Sequence, residues 1–130
     1  MKFPYSRAYF PSAPVVEIRL RSHTTDRILG PLQALIDTGS DASLVPMSYL
    51  LTIDAPETAP AWLVGITGKR VAIALYHVDT YLGEVVFPGV PVIGDERGDE
   101  VILGRDVLNR LALILDGPRQ QTGFPDDMGM

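Results

Sequence analysis

The chain has 130 residues, of which 46% are hydrophobic and 21% are charged, with a formal net charge of −5. This length is typical of one domain with its own core, and this composition excludes wholesale disorder. The excess of acidic residues argues against nucleic acid or a membrane surface as the main partner. Because the sequence contains no cysteine, it also excludes disulfide scaffolds, thiol catalysis and thiolate-bound metal.

The two histidines, His23 and His77, do not stand at a spacing that suggests a metal site. We therefore expect no metal and no cofactor. The first residues include a basic side chain but no apolar run behind it, so they do not resemble a secretory signal. No apolar stretch is long enough to cross a bilayer. These observations predict a cytoplasmic protein.

The first half of the chain predicts short strands joined by turns. Residues 1–14 contain three prolines and predict an extended N-terminal arm. Residues 15–20 alternate between apolar and polar side chains, which indicates a half-buried strand. A polar link precedes a second strand over residues 32–36. A third, shorter strand is predicted over residues 42–45, and residues 47–51 can form one helical turn.

The middle of the chain contains a predicted hairpin. Apolar segments at 61–64 and 71–75 flank the sequence Gly65-Ile66-Thr67-Gly68, whose glycines favour a tight turn. Residues 76–87 continue as β-structure with a turn near Gly83. A further short strand is predicted over residues 90–93.

The last part of the chain carries the best helix candidate. Residues 101–104 form an apolar strand that ends in glycine, and a helix is predicted over residues 106–110. A closing strand is expected over residues 111–115. Residues 117–130 have little to bury, so we expect a flexible C-terminal tail. The predicted class is mainly β with one short helix.

The most informative segment is Ala-Leu-Ile-Asp-Thr-Gly-Ser at residues 34–40. Asp37 directly follows an apolar strand, where an unpaired carboxylate is costly. Thr38 and Ser40 supply hydroxyl donors, and Gly39 lets a backbone N–H approach the carboxylate. A turn without a catalytic role would explain the same tripeptide, so this segment by itself leaves both interpretations open.

A second segment, Val-Ile-Leu-Gly-Arg-Asp at residues 101–106, follows downstream of the hairpin. Taken together and in this order, the two segments and the hairpin resemble the retroviral-type aspartic proteases, the retropepsins. The resemblance covers about residues 15–116, which leaves residues 1–14 as an arm and 117–130 as a tail. It implies a single-lobe, pepsin-like or retropepsin-like closed β-barrel with a flap hairpin and a short C-terminal helix.

The resemblance also implies roles for the residues of the first segment. Asp37 would be the catalytic carboxylate, Thr38 would lock two active-site loops together across a dimer axis, and Gly39 would contact substrate through its backbone. A hydroxyl donating to Asp37 would favour the ionised form and lower the pKa of the catalytic pair. We therefore predict that Ser40 tunes the pKa of this pair and gives an acidic rate optimum.

Further roles follow from the same resemblance. Asp41 and Arg105 stand where the family has a structural ion pair. The hairpin residues Gly65, Ile66, Thr67 and Gly68 fall where the family has its mobile flap, with Ile66 as the apolar tip. Ile102 would line a side-chain pocket for substrate. Plain core packing is the alternative interpretation for Ile66 and for Trp62.

The implied function is a homodimeric aspartic endopeptidase acting on polypeptides. The chain has one Asp-Thr-Gly sequence, so the second carboxylate that activates water would come from Asp37 of a second copy. Two alternatives remain open. One is a catalytically weak or silent retropepsin fold that binds peptides or mediates dimerisation, and the other is an unrelated β-barrel with a chance Asp-Thr-Gly turn.

Overall fold

The computed structural model of the protein describes residues 1–58 and 60–125. Over these residues it is mainly β, with two short helices, neither of which is long and apolar enough to cross a membrane. The elements are β1 (Lys2–Pro4), β2 (Val15–Arg21), β3 (Ile28–Ile36), β4 (Leu44–Pro46), α1 (Met47–Thr52), β5 (Ala61–Val64), β6 (Arg70–Ile73), β7 (Leu75–Leu82), β8 (Val85–Asp95), β9 (Val101–Leu103), α2 (Arg105–Leu108), β10 (Ile114–Asp116) and β11 (Gln121–Gly123).

Six strands close into a barrel in the order β2-β3-β9-β4-β8-β7. The alternation seen in the sequence of β2 sets its two faces: Val16, Ile18 and Leu20 are buried inside, whereas Glu17 and Arg19 are exposed. Side chains from the other barrel strands complete a core dominated by valine, isoleucine and leucine. Closure pairs the barrel strands with one another and removes exposed strand edges. The prediction of a mainly β, closed barrel is confirmed.

Strands β3 and β8 are longer than the sequence pattern predicts. β3 begins at Ile28 because the end of the polar link pairs with the end of β2, where Arg21 faces Ile28. β8 joins two predicted segments because both sides of Pro88-Gly89 pair with β7. A shift of register in β7 lies opposite this point, and the buried Asp79 carboxylate there accepts the Gly89 N–H at 2.9 Å.

The barrel places the ends of β3 and β9 side by side. These strands are parallel, with Ile36 paired with Leu103. Both strands therefore end at the same edge of the barrel, and the residues that follow them, Asp37 and Gly104, are neighbours. This is the edge on which the two informative sequence segments meet.

Strands β5 and β6 form a separate two-stranded antiparallel sheet, as the sequence predicts. The turn is closed by the Gly65 N–H donating to the Lys69 carbonyl at 3.2 Å and the Gly68 N–H donating to the Gly65 carbonyl at 2.9 Å. The chain leading into the hairpin is fixed to the barrel by a bridge between Glu57 and Tyr76. The hairpin thus has an anchored base and a projecting tip.

The segment after Asp116 differs from the predicted flexible tail. Asp116 accepts the Arg119 N–H at 3.1 Å and thereby closes the turn over residues 117–120. β11 then pairs with β10 on one side and with β1 on the other, and Phe124 is buried with its ring edge-on to Phe3 at 6.2 Å. The pairing strand comes from the opposite end of the chain, so local composition gives no sign of it. Residues 126–130 of the predicted tail lie outside the described residues.

The N-terminal arm is tied to the barrel in a second place. Ser6 and Ala13 exchange backbone hydrogen bonds of 2.8 and 3.1 Å, which closes a loop between β1 and β2. Within this loop the Tyr9 hydroxyl donates to Glu100 Oε1 at 2.6 Å. This hydrogen bond, together with burial and the nearby carboxylates, raises the pKa of Tyr9 to about 12.

Replacing Tyr9 with phenylalanine should lower the free energy of unfolding at neutral pH by up to about 1 kcal/mol, because one hydrogen bond is lost. Since the folded-state pKa lies above the unfolded value of about 10, this stabilisation is present below pH 10 and is lost as the pH rises toward 12. Urea unfolding of both proteins at a series of pH values measures the difference. Equal stability at neutral pH would contradict the assignment.

Candidate active site

Asp37 sits at the end of β3, and the backbone on both sides of it is fixed. The Ile36 N–H donates to the Pro14 carbonyl at 3.1 Å, and the Asp37 N–H donates to the Leu103 carbonyl at 3.0 Å. The side chain is half-buried. The barrel therefore holds this carboxylate in a set position at its edge, within reach of solvent.

The turn after Asp37 supplies a donor to the carboxylate. The Ser40 N–H donates to the Asp37 carbonyl at 3.2 Å, and the Gly39 N–H donates to Asp37 Oδ1 at 2.9 Å. A Cβ at position 39 would lie 3.2 Å from the same oxygen, a tight contact that glycine avoids. Thr38 and Gly39 are exposed, and this face of the loop is open to a ligand or a second subunit.

The hydroxyl of Ser40 does not bind the Asp37 carboxylate. It donates to the Ala42 carbonyl at 2.7 Å, while the backbone N–H of Ser40 is the group that bonds back to Asp37. The turn geometry directs the side chain forward along the loop, away from Asp37. The prediction that Ser40 tunes Asp37 through a hydrogen bond is therefore corrected.

Arg105 ties the two informative segments together. Its N–H donates to the Ser40 carbonyl at 2.8 Å, its Nη1 donates to the Thr38 carbonyl at 2.8 Å, and its guanidinium forms an ion pair with Asp41. The side chain of Asp41 is 88% exposed, so the ion pair contributes at most about 1 kcal/mol. The main effect of Arg105 is to hold the carbonyl of Thr38, the residue directly after Asp37.

Two further residues belong to the site, and sequence reasoning assigned them no role there. Ser43 is 1% exposed, and its hydroxyl donates to Asp106 Oδ1 at 2.7 Å and accepts the Gly104 N–H at 3.0 Å. The Ser43 N–H also donates to Asp106 Oδ2 at 3.1 Å. Gly104 caps α2, and Asp106 lies in the first turn of this helix, from which its carboxylate binds Ser43 of the loop after Asp37. The sequence feature that could have pointed to Ser43 is its position as a polar residue directly before the apolar strand β4.

The residues predicted to form a flap lie on the projecting hairpin. Ile66 is fully exposed at the tip, and Gly65, Thr67 and Gly68 are exposed with it. Trp62 is 61% exposed, so core packing, the alternative for Ile66 and Trp62, does not hold for either side chain.

The hairpin also carries a contact between a charged and an aromatic side chain. The Arg70 guanidinium lies 5.0 Å from the centre of the Trp62 ring, a cation–π contact on the hairpin.

Ile102 is half-buried in β9, between Leu35 of β3 and Leu44 of β4. It therefore lies in the barrel wall one residue before the strand end that meets Asp37.

Within residues 1–58 and 60–125, no group of three histidine, aspartate or glutamate side chains could hold a metal ion. Asp41, the acid nearest to Asp37 in sequence, has its carboxylate engaged by Arg105. The chain thus brings one oriented, accessible carboxylate to this edge of the barrel.

Comparison with known proteins agrees with this geometry. The family described as "Retroviral aspartyl protease" matches residues 11–116. Among solved structures, the EIAV protease complexed with the inhibitor HBY-793 is 20% identical, with 75% of this chain and 86% of that chain covered and a TM-score of 0.57. A retropepsin-like aspartic protease from Rickettsia conorii is 12% identical, with 94% and 86% covered and a TM-score of 0.60.

The retroviral protease-like domain of Ddi1 from Leishmania major is also similar, with 14% identity, 88% and 91% coverage and a TM-score of 0.52. At these identities the solved structures establish a common fold. No curated protein sequence matches the chain.

The two serines of the loop after Asp37 provide a matched pair of substitutions. Ser43→Ala leaves the buried Gly104 N–H without its acceptor and should lower the free energy of unfolding by about 1 to 3 kcal/mol. Ser40→Ala removes one bond of a partly exposed hydroxyl and should cost about 1 kcal/mol or less. Urea unfolding monitored by circular dichroism compares the two. A larger loss for Ser40→Ala would contradict the assigned network.

Proposed function

Because the chain belongs to the retroviral aspartyl protease family, we propose that it is a homodimeric aspartic endopeptidase whose active site contains Asp37 from each of two subunits. The observation that carries the proposal is the Asp37 carboxylate itself. It is fixed at a barrel edge, oriented by the Gly39 N–H, and bordered by exposed loop residues. The names of the Rickettsia and EIAV proteins as proteases support the same activity.

The chemistry explains why two copies are required. Hydrolysis of a peptide bond without a metal needs one group to remove a proton from water and another to protonate the carbonyl oxygen. One carboxylate cannot be ionised and protonated at once. Two carboxylates about 3 Å apart can divide these roles, because their repulsion keeps one proton shared between them. A twofold axis beside Asp37 supplies this pair.

In the proposed reaction, the ionised Asp37 takes a proton from water as the water oxygen attacks the scissile carbonyl carbon. The protonated Asp37 of the second subunit gives its proton to the carbonyl oxygen, which yields a neutral gem-diol. The carboxyl group that took the proton from water then gives it to the leaving nitrogen as the C–N bond breaks, while one gem-diol hydroxyl gives its proton to the other carboxylate, so that an amine and a carboxylic acid are released. The pair ends with one shared proton, as it began.

The hairpin is the proposed substrate cover. Its tip carries exposed Ile66 on a turn with two glycines, and its base is fixed to β7 through the Glu57–Tyr76 bridge. A hairpin anchored at one end can close over an extended peptide and shield the site from bulk solvent. Ile102 in the barrel wall is the proposed lining of a side-chain pocket.

The direct test is cleavage of a mixed peptide pool from acid to neutral pH by the wild type and by Asp37→Asn. The substitution removes the ionisable group and should abolish cleavage while the thermal unfolding curve stays close to that of the wild type. Asp99→Asn makes the same change on an exposed loop and should leave cleavage intact. Cleavage by Asp37→Asn would overturn the proposal. Silence from both proteins, with dimers seen by light scattering, would favour a peptide-binding module.

Mixing the wild type with Asp37→Asn tests whether the site is shared. If subunits exchange freely and each active site needs both carboxylates, an equal mixture retains two Asp37 residues in about one quarter of its dimers. Activity should then fall to about a quarter of that of a wild-type sample with the same total protein. Activity at half the wild-type level would show that each subunit works alone.

A further inference from the structure

A cavity of about 340 Å³ lies between the N-terminal strand and the outer wall of the barrel. Phe3 of β1 and the preceding Met1 line one side of it, and Glu17 and Arg19 of β2 line the other. The volume is within the range of about 300 to 1,000 Å³ that is typical of sites for small molecules. Asp37 does not line this cavity, so the cavity is separate from the candidate active site.

The apolar side of the cavity is held in place by contacts with the rest of the fold. The ring of Phe3 packs edge-on against Phe124 at 6.2 Å. Met1 lies against the β7–β8 turn, where a Cβ at Gly83 would be 2.6 Å from the Met1 sulfur. Pro31 of β3 adds a further apolar surface. These surfaces are preformed, which lowers the entropic cost of binding a ligand.

The barrel side of the cavity carries two opposite charges. Glu17 and Arg19 both point outward from β2, since Ile18 between them is buried in the core. Within the described residues, neither side chain forms an ion pair or a side-chain hydrogen bond. The stem of Arg19 lies against the backbone of β3, where a Cβ at Gly30 would be 2.9 Å from Arg19 Cγ. A carboxylate and a guanidinium thus line the cavity side by side, both available to a ligand.

The spacing of the two charges indicates the length of a ligand that meets both. Cα atoms two residues apart in a strand are about 6.7 Å apart. An extended dipeptide spans at most about 7 Å. Its terminal ammonium can therefore lie at Glu17 while its carboxylate lies at Arg19, where a guanidinium can donate two parallel N–H bonds. A single amino acid carries both charged groups on one carbon atom and spans a shorter distance.

We infer that this cavity binds a dipeptide with free ends and apolar side chains, with its ammonium on Glu17 and its carboxylate on Arg19. The apolar side chains contact Phe3 and Met1 on the opposite side. Each charge of the ligand meets a side chain that has no partner among the described residues. The inference does not depend on the proposed function, because the cavity contains none of the residues placed in the active site.

Isothermal titration calorimetry with the dipeptide Leu-Leu tests the site on the unaltered protein. Leu-Leu should bind saturably. N-acetyl-Leu-Leu lacks the ammonium and Leu-Leu amide lacks the carboxylate, so each should bind at least about threefold more weakly. Free leucine should bind at least about tenfold more weakly. Asp37→Asn should give the same Kd as the wild type, which separates binding from any heat of peptide cleavage.

Substitutions at the two charges assign each end of the ligand to one residue. Glu17→Gln should weaken Leu-Leu about three- to tenfold but bind N-acetyl-Leu-Leu as the wild type does, because the ammonium contact is already lost. Arg19→Gln should behave in the same way toward Leu-Leu and Leu-Leu amide. Glu96→Gln and Arg97→Gln make the same changes on the exposed loop after β8 and should leave every Kd unchanged. Circular dichroism checks that each variant is folded.

The possible outcomes judge the site and the ligand separately. Equal Kd values for Leu-Leu and its two blocked forms, or folded Glu17→Gln and Arg19→Gln variants with the wild-type Kd, would overturn the site. Leucine binding as tightly as Leu-Leu would overturn the dipeptide as the ligand. A lack of saturable binding at about 10 mM Leu-Leu would overturn the whole inference. Each of these results can occur while the wild type cleaves peptides, so the proposed function stands or falls by its own tests.

Discussion

The close approach of two backbone segments at Gly104 is the constraint on which the site depends. A Cβ at this position would lie 2.6 Å from the carbonyl carbon and oxygen of Ala42 and 2.8 Å from the carbonyl oxygen of Ser40. Real side chains do not tolerate such contacts, so any other residue would push the two loops apart. Because the loops meet here, the Arg105 N–H reaches Ser40 and the Gly104 N–H reaches Ser43.

The loop contact at Gly104 and the projecting hairpin are structurally separate parts of the molecule. The Asp37 carboxylate is held in place by a backbone bond to β9, by the Arg105 contacts and by the hydrogen-bonded pair of Ser43 and Asp106. The hairpin forms its own sheet and is fixed to the barrel through its base. A fixed carboxylate beside a hairpin with an anchored base is consistent with the proposed cleavage of an extended peptide.

The two ends of the chain form a third structural unit, the sheet of β1, β11 and β10. β1 and β11 pair within one chain, and Phe3 and Phe124 pack together beneath them. With both termini paired in this way, the apolar strand β10 is left at an edge. The pairing of β1 with β11 thus orders two segments that lie at opposite ends of the sequence.

Patterns among residues close together in sequence predicted several strands, the hairpin turn and the candidate carboxylate. The alternation of β2 predicted its buried and exposed faces, and the glycines of 65–68 predicted the hairpin turn, because such preferences act through neighbouring residues. The apolar strand running into Asp37-Thr38-Gly39 likewise marked the candidate carboxylate. These patterns, with the segment around Arg105, were sufficient to indicate a mainly β barrel and its protease family.

Only the tertiary structure decided which distant groups meet. The burial of Ser43 against Asp106, the forward direction of the Ser40 hydroxyl and the pairing of β11 with β1 depend on partners far away in sequence or on the exact turn geometry. A hydroxyl can donate to several nearby acceptors, and a short polar strand carries little intrinsic preference, so context selects the outcome. Local sequence therefore identified the candidate carboxylate, and the packed fold selected the residues that hold it.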